Sequence, residues 1–512
     1  EQAFIFAEGN KASLLLDAAR DNLARDNSGI QDSLLLQESR LKSKMAFYER
    51  KIAEARLMPE PGQEETLEGW ERELFRLRTQ FAELTKAMET SFPKYHQLKY
   101  TRGRVTVNDI RQSVLDDQSL LVEFFMGKER LYVFYLSEES LRWKVIEQPA
   151  DLVAQISRLR DIVSSRPDSE SFVENCQTYG RLAAVLYSEL LADGVQMATG
   201  LSRLLIVPDD ALNFLPFELL LTEAPEADVQ DYRGSAMDYL FRRFRVSYNY
   251  SASLLVVNRQ REFTERRESF LGMAPSFGSS IAAERACDRE EQYNLRCNVP
   301  EVEHIHNILG GKMFRNVEAN KEAFIRESGD YRVIHLATHA CLDENDAMLS
   351  KIFFSDGDLS IYELSKMDLQ ADLIVLSACN TNTGILLKGE GVASVARGFS
   401  LAGCASSLTS LWSVDDCATS EMMQFYYDEL GEGRSKDEAI QRAKLSYLAQ
   451  ADKASSHPYF WSAFVQLGDT KPLEAGRTWW QFLLYFLPFT ALPILALLLL
   501  KMVFNRKSAT VS

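Results

Sequence analysis

Over the first hundred residues, apolar side chains recur every three or four positions. Leu41, Met45, Tyr48, Ile52 and Ala55 form one series, and Leu67, Trp70, Leu74, Leu77, Phe81, Leu84 and Met88 a second. Steps of four and three line up along one side of a helix as an apolar seam. The stretch MPEPGQE (58–64) between the series carries the Pro and Gly of a turn. These positions predict two helices joined into an antiparallel hairpin, whose seam serves packing rather than chemistry. The opening AFIFAEGNKASLLLDAA (3–19) is amphipathic and reads as a further helix.

From Leu120 the period changes. LLVEFF (120–125) and LYVFYL (131–136), separated by MGKER, predict a hairpin of two strands. Helices are expected over 152–163 and 173–191, followed by RLLIVPDDALNFLPFELLL (203–221), a strand running through a turn into a helix. Alternation of this kind describes an α/β layer. The charged run RQREFTERRE (259–268) is expected to link it to a second α/β unit that opens with the strand FLGMAP (270–275). Two runs in that unit, RVIHLATHACLDE (332–344) and ADLIVLSACNTNTG (371–384), begin as strands buried on both faces and then break into polar loops. A further strand (406–411) and helix (418–427) follow. The long polar loop 276–300 contains Cys287 and Cys297.

At the far end, WWQFLLYFLPFTALPILALLLL (479–500) carries no charge. At about 1.5 Å per residue, such a helix is long enough to cross the hydrocarbon core of a bilayer. Trp479 and Trp480 suit the interface, and Lys501, Arg506 and Lys507 form a basic flank. This predicts a single-pass membrane anchor followed by a short tail (504–512). Orientation is pulled both ways: the basic tail favours a cytoplasmic C-terminus, whereas reduced thiols favour a cytoplasmic catalytic unit, and the second is slightly preferred.

Composition narrows the function. A net charge of −16 argues against a nucleic-acid groove, which needs a basic surface. Seven cysteines without a C-x-x-C pair read as reduced thiols, with no structural zinc. Gly384, Gly389 and Gly391 lack Walker or Rossmann spacing and read as a flexible loop, so no cofactor is expected.

The chemistry lies where the two buried runs break. His339 and Cys379 both fall just past the carboxyl ends of predicted strands, where parallel sheets gather their reactive groups. A cysteine is nucleophilic as its thiolate, and an imidazole can take its proton. The small neighbours Ala340 and Ala378 leave room for a substrate backbone. His335 falls within its strand and reads as a core histidine, and His457, before a proline, as a turn former. Cys341 and Cys404 read as packing residues, and Cys417 as a thiol at a helix start. Asp415 and Asp416 in LWSVDD precede a helix, where one can cap and the other can face a substrate.

HLATHA, VLSACNTNTG, GEGVASVARGFSLAGCASSLTSLWSVDDCAT and HPYFWSAFVQLGD, in this order, resemble the CHAT domain. That family consists of caspase-like cysteine peptidases related to separase, often attached to tetratricopeptide repeats. The segment 3–19 looks like the closing helix of such an array. The resemblance extends over about 109–469, taking in LLIVPDDALNFLPFELLL and PEVEHIHNILGG. It implies His339 as base, Cys379 as nucleophile, and a two-part α/β unit with a degenerate half and a catalytic half. Ala340 stands where the family has glycine, and Asn380 where it often has an acid. LWSVDD is similar to the separase arrangement in which an aspartate recognises arginine. That places Asp416 as the substrate-binding acid, with Asp415 beside it as cap, and implies cleavage after arginine or lysine.

The expected order is therefore a helical region (1–107), a non-catalytic half (108–268), a catalytic half (269–470) and a transmembrane helix (479–503). The expected function is that of a membrane-anchored bacterial cysteine endopeptidase. It would act on a protein substrate under control of a regulatory protein partner at the helical region. The alternative is a catalytically silent membrane-bound adaptor built on the same fold for protein contacts.

Overall fold

The computed structural model describes residues 1–473 apart from 29–31, 58–63, 96–104, 148, 198, 227, 234–236, 262–267, 278–294, 344–345, 378–384 and 388–389. The chain opens with four helices, α1 (Gln2–Glu8), α2 (Ser13–Ser28), α3 (Asp32–Leu57) and α4 (Glu64–Ser91). The heptad-like seams of α3 and α4 meet in one cluster of Leu41, Leu77, Leu84 and Met88, joined by Tyr95. Phe75, off the seam, is 74% exposed. Periodicity alone thus marks the buried face.

The helix α5 (Val107–Val114) leads into the first α/β unit, and its start is fixed by a capping box between Thr106 and Asp109. The unit comprises β1 (Ser119–Met126), β2 (Arg130–Leu136), β3 (Leu141–Glu147), α6 (Ala150–Ser164), α7 (Phe172–Leu190), β4 (Arg203–Val207), β5 (Arg245–Tyr248) and α8 (Ala252–Arg259). The second unit holds β6 (Glu268–Pro275), α9 (Asn298–Leu309), β7 (Lys312–Asn316), α10 (Lys321–Glu327), β8 (Tyr331–Leu336) and β9 (Leu373–Leu376). It continues through α11 (Val395–Leu401), β10 (Ser406–Ser410), α12 (Asp416–Gly431), α13 (Lys436–Gln450) and β11 (Phe464–Gly468).

Both units share one mixed sheet of eleven strands, in the order β3-β2-β1-β4-β5-β11-β10-β9-β8-β6-β7. The join is the parallel pairing of β5 with β11, Tyr248 opposite Leu467. Beside it, the buried Lys444 donates to Glu218 at 2.6 Å and to the Phe464 carbonyl at 2.8 Å. Each unit contributes one member of that ion pair, so the seam is held by charge as well as by the ladder.

Two features depart from the sequence pattern. Over 208–221 the expected helix gives way to two short 3-10 turns, Asp210–Phe214 and Phe217–Leu219, separated by Pro216, which has no amide to continue a helix. The strands β3 and β7 were not expected. They are the two edges of the sheet, partly solvated, and lack the solid apolar run that marks the central strands. No helix among the described residues is long and apolar enough to cross a membrane, and the stretch 479–500 lies outside them.

The N-terminal helices are seated on the sheet unit rather than strung beside it. Phe4 and Ala7 share a core with Val107, Ile110, Leu121, Phe134 and Leu205. The Glu8 carboxylate accepts the Ala252 and Ser253 amides at 2.8 Å each, capping α8 from another element. Lys11 donates to the Phe124 carbonyl at 2.6 Å.

Candidate active site

Three neighbouring parallel strands end together at the edge that holds the candidate residues. In β8 and β9, Val333 lies opposite Leu373 and Leu336 opposite Leu376. The ladder continues one step further, with the Ser377 amide donating to the Leu336 carbonyl at 3.0 Å. On the other side of β9, Ile374 lies opposite Ser407 and Val375 opposite Leu408 of β10. Chain leaving β8 reaches His339, chain leaving β9 runs toward Cys379, and chain leaving β10 reaches Asp415 and Asp416. Cys379 itself lies outside the described residues, in 378–384.

His339 sits where the chain passes from the main sheet into a small one. Its carbonyl accepts the Phe353 amide at 3.0 Å, and Thr338 donates to the Phe353 carbonyl at 2.6 Å. Both bonds fix the backbone and leave the ring to face Phe277, whose centroid is 5.1 Å away. Burial lowers the imidazole pKa below its ordinary value, and the Asp416 charge opposes that shift. A lowered pKa keeps the ring neutral, as an acceptor must be.

The two aspartates divide their work. Asp415 is the N-cap of α12, accepting the Cys417 and Ala418 amides at 3.2 Å each. Asp416 turns away from its own helix: its Oδ2 accepts the Arg296 amide at 2.6 Å and the Cys297 amide at 2.9 Å. That contact was not legible in the sequence, because 120 residues separate the partners.

The cysteine reading needs correction. Cys297 and Cys417 form a disulfide, with Cα atoms 5.2 Å apart, and Cys341 is also disulfide-bonded. Cys176 and Cys404 are buried. Cys297 caps α9 and Cys417 opens α12. These helices pack side by side with their N-termini at the same edge, so cysteines remote in sequence meet within bonding distance. The Asp416 carboxylate and the two sulfurs lie within 4.8 Å of one another, near enough for a metal ion. Sulfurs bonded to each other, however, offer no thiolate ligand.

His335 is buried and hydrogen-bonded on both sides, to Glu301 at 2.7 Å and to the Tyr427 hydroxyl at 3.2 Å. It ties β8 to α9 and α12 rather than facing the site. Glu301 lies in PEVEHIHNILGG, so the segment was visible in the sequence but its role was not. His457 is the N-cap of a short helix, its Nδ1 accepting the Tyr459 amide at 3.2 Å.

Such an arrangement defines a mixed α/β protein, with polar residues gathered at the carboxyl ends of three adjacent strands. The chain belongs to the CHAT domain family, whose model matches residues 179–469, more than half of it. Over 315 residues, 53% of the chain, it is 23% identical to tetratricopeptide repeat protein 28 of Homo sapiens, and it spans 12% of that protein. The Mus musculus protein of the same name is 27% identical over 117 residues, 23% of the chain and 5% of the relative. Among solved structures, it is similar to the Saccharomyces cerevisiae separase–securin complex. The TM-score is 0.43 at 10% identity, covering 73% of this chain and 32% of that one. The Arg-specific cysteine proteinase gingipain R aligns with a TM-score of 0.33 at 12% identity, over 64% of this chain and 74% of that one.

Proposed function

We propose that the chain is a cysteine endopeptidase in which Cys379 attacks the scissile carbonyl and His339 takes its proton. The supporting observation is a register: β8 and β9 are adjacent and parallel with an offset of 40 residues, Val333 against Leu373, and Cys379 follows His339 by the same 40. The two residues thus stand equally far in sequence beyond the ends of paired strands. Asp416, delivered from the next strand, supplies the negative charge that pairs with an arginine or lysine of the substrate. An unmatched ion in such a pocket costs several kcal/mol (roughly), which is what makes one carboxylate selective. The apolar segment 479–500 anchors the enzyme in a membrane, and the helices α1–α4 receive the activating protein. With Cys297, Cys341 and Cys417 in disulfides, the reduced-thiol ground for a cytoplasmic catalytic unit falls away.

Cleavage of arginyl fluorogenic peptides tests this reading. Cys379→Ala should abolish turnover, and His339→Ala should lower it by about 10²–10⁴-fold, the usual contribution of a general base. Asp416→Ala should cripple basic substrates while a thiol-reactive probe still labels Cys379. Absence of turnover in a folded wild-type chain across a full peptide panel would instead leave the adaptor role.

A further inference from the structure

We propose that Cys297 and Cys417 form a thiol–disulfide site that controls whether Asp416 is open to substrate. The inference rests on Asp416 being the substrate-binding acid. The backbone amides of Arg296 and Cys297 already occupy its Oδ2. The disulfide joins Cys297 to Cys417, the residue next to that carboxylate. One covalent bond and two hydrogen bonds therefore hold the same short stretch of chain over the acid. Of the two cysteines, Cys417 is exposed and Cys297 half-buried, so a thiol in solution can reach the bond.

Reduction would free this stretch without dismantling the fold. The helix α9 is held below it by other contacts: Asn298 Nδ2 donates to the Pro275 and Ala337 carbonyls at 3.0 and 3.3 Å, and Glu301 bonds His335. Arg296 and Cys297 lie ahead of these contacts, tied to α12 by the disulfide and by the two bonds to Asp416. The exchange balances with a dithiol as reductant. Its thiolate attacks the Cys417 sulfur, the S–S bond breaks, and Cys297 leaves as a thiolate that takes up a proton. The second thiol of the reductant then displaces Cys417, giving two protein thiols and a cyclic disulfide. With the tether gone, the amides must compete with a guanidinium for the carboxylate.

The experiment compares the wild-type chain with the double variant Cys297→Ser/Cys417→Ser. In the Cys379→Ala background, hydrogen exchange at the Arg296 and Cys297 amides should rise at least about tenfold on adding dithiothreitol. In the double variant combined with Cys379→Ala, it should be fast without reductant. In the active chain, KM for an arginyl peptide should fall several-fold in the double variant relative to the oxidised wild type. KM is the informative quantity, because oxidation of Cys379 would change only the amount of active enzyme. Unchanged exchange on reduction overturns the proposal. So does alkylation of the two cysteines that needs a chelator rather than a reductant, which would mean a metal holds them. If exchange responds as expected but no peptide is cleaved, the peptidase reading fails and the redox site stands; cleavage with identical KM in both chains removes the redox control alone.

Discussion

At the scale of single residues, environment separates the histidines that the sequence presents as alike. The His339 carbonyl accepts the Phe353 amide and its ring faces Phe277 just past the end of β8, whereas His335 is enclosed between Glu301 and Tyr427. His457 is a third case, with burial beside Tyr232 pushing its pKa down to about 4. The folded state therefore prefers the neutral ring, while the unfolded chain titrates near the ordinary value of about 6.5. Stability is complete above about pH 6.5 and falls as pH drops toward 4, by about 3 kcal/mol in all. Urea midpoints of the wild type at about pH 7.5 and about pH 4.5 should reflect that loss, and His457→Asn, which can still cap, should lose correspondingly less. Equal acid sensitivity in both chains would show that the ring is not what titrates.

At the scale of the element, α12 shows how one helix start serves two purposes. Its first orphan amides are satisfied by Asp415, which frees Asp416 to turn toward Arg296 and Cys297. Replacing an N-cap aspartate by alanine typically costs about 1 kcal/mol. Asp415→Ala should lower stability to urea by that amount and leave the preference among peptide substrates unchanged. A shift in preference toward acidic or apolar residues would mean that Asp415 belongs to the pocket. The same logic holds at α8, where the cap comes from Glu8 of a helix more than two hundred residues earlier.

At the scale of the molecule, the N-terminal helices reach the segment that follows Cys379. Ser13, at the start of α2, donates to Glu390 at 2.6 Å, and the Leu14 amide donates to the same oxygen at 3.4 Å. Glu390 is in turn paired with the buried Arg397 of α11. Movement of α2 would thus be felt at the strand Gly391–Ala393 and the chain before it, which gives the proposed control by a partner a physical route. Anchoring belongs to this scale too. The full chain should stay with membranes through alkaline carbonate washing. Recovery in the soluble fraction would end the anchoring proposal.

Much of the molecule was legible in residue order because its signals are local. Periods of three and four gave α3 and α4, solid apolar runs gave β8 and β9, and Pro, Gly and Asp marked where elements stop. Ordered motifs pointed to the family and to His339 and Cys379 as the pair to weigh. Edge strands were missed because β3 and β7 are partly solvated and carry no continuous apolar run. The turns around Pro216 were read as a helix because their apolar residues fit either form. Pairings at long range needed the fold itself. The sheet continuing from β5 to β11, Glu218 with Lys444, His335 with Glu301, and Cys297 with Cys417 join positions whose spacing carries no signal. Local sequence sets the form of each element; which elements become neighbours depends on how their apolar faces pack in three dimensions.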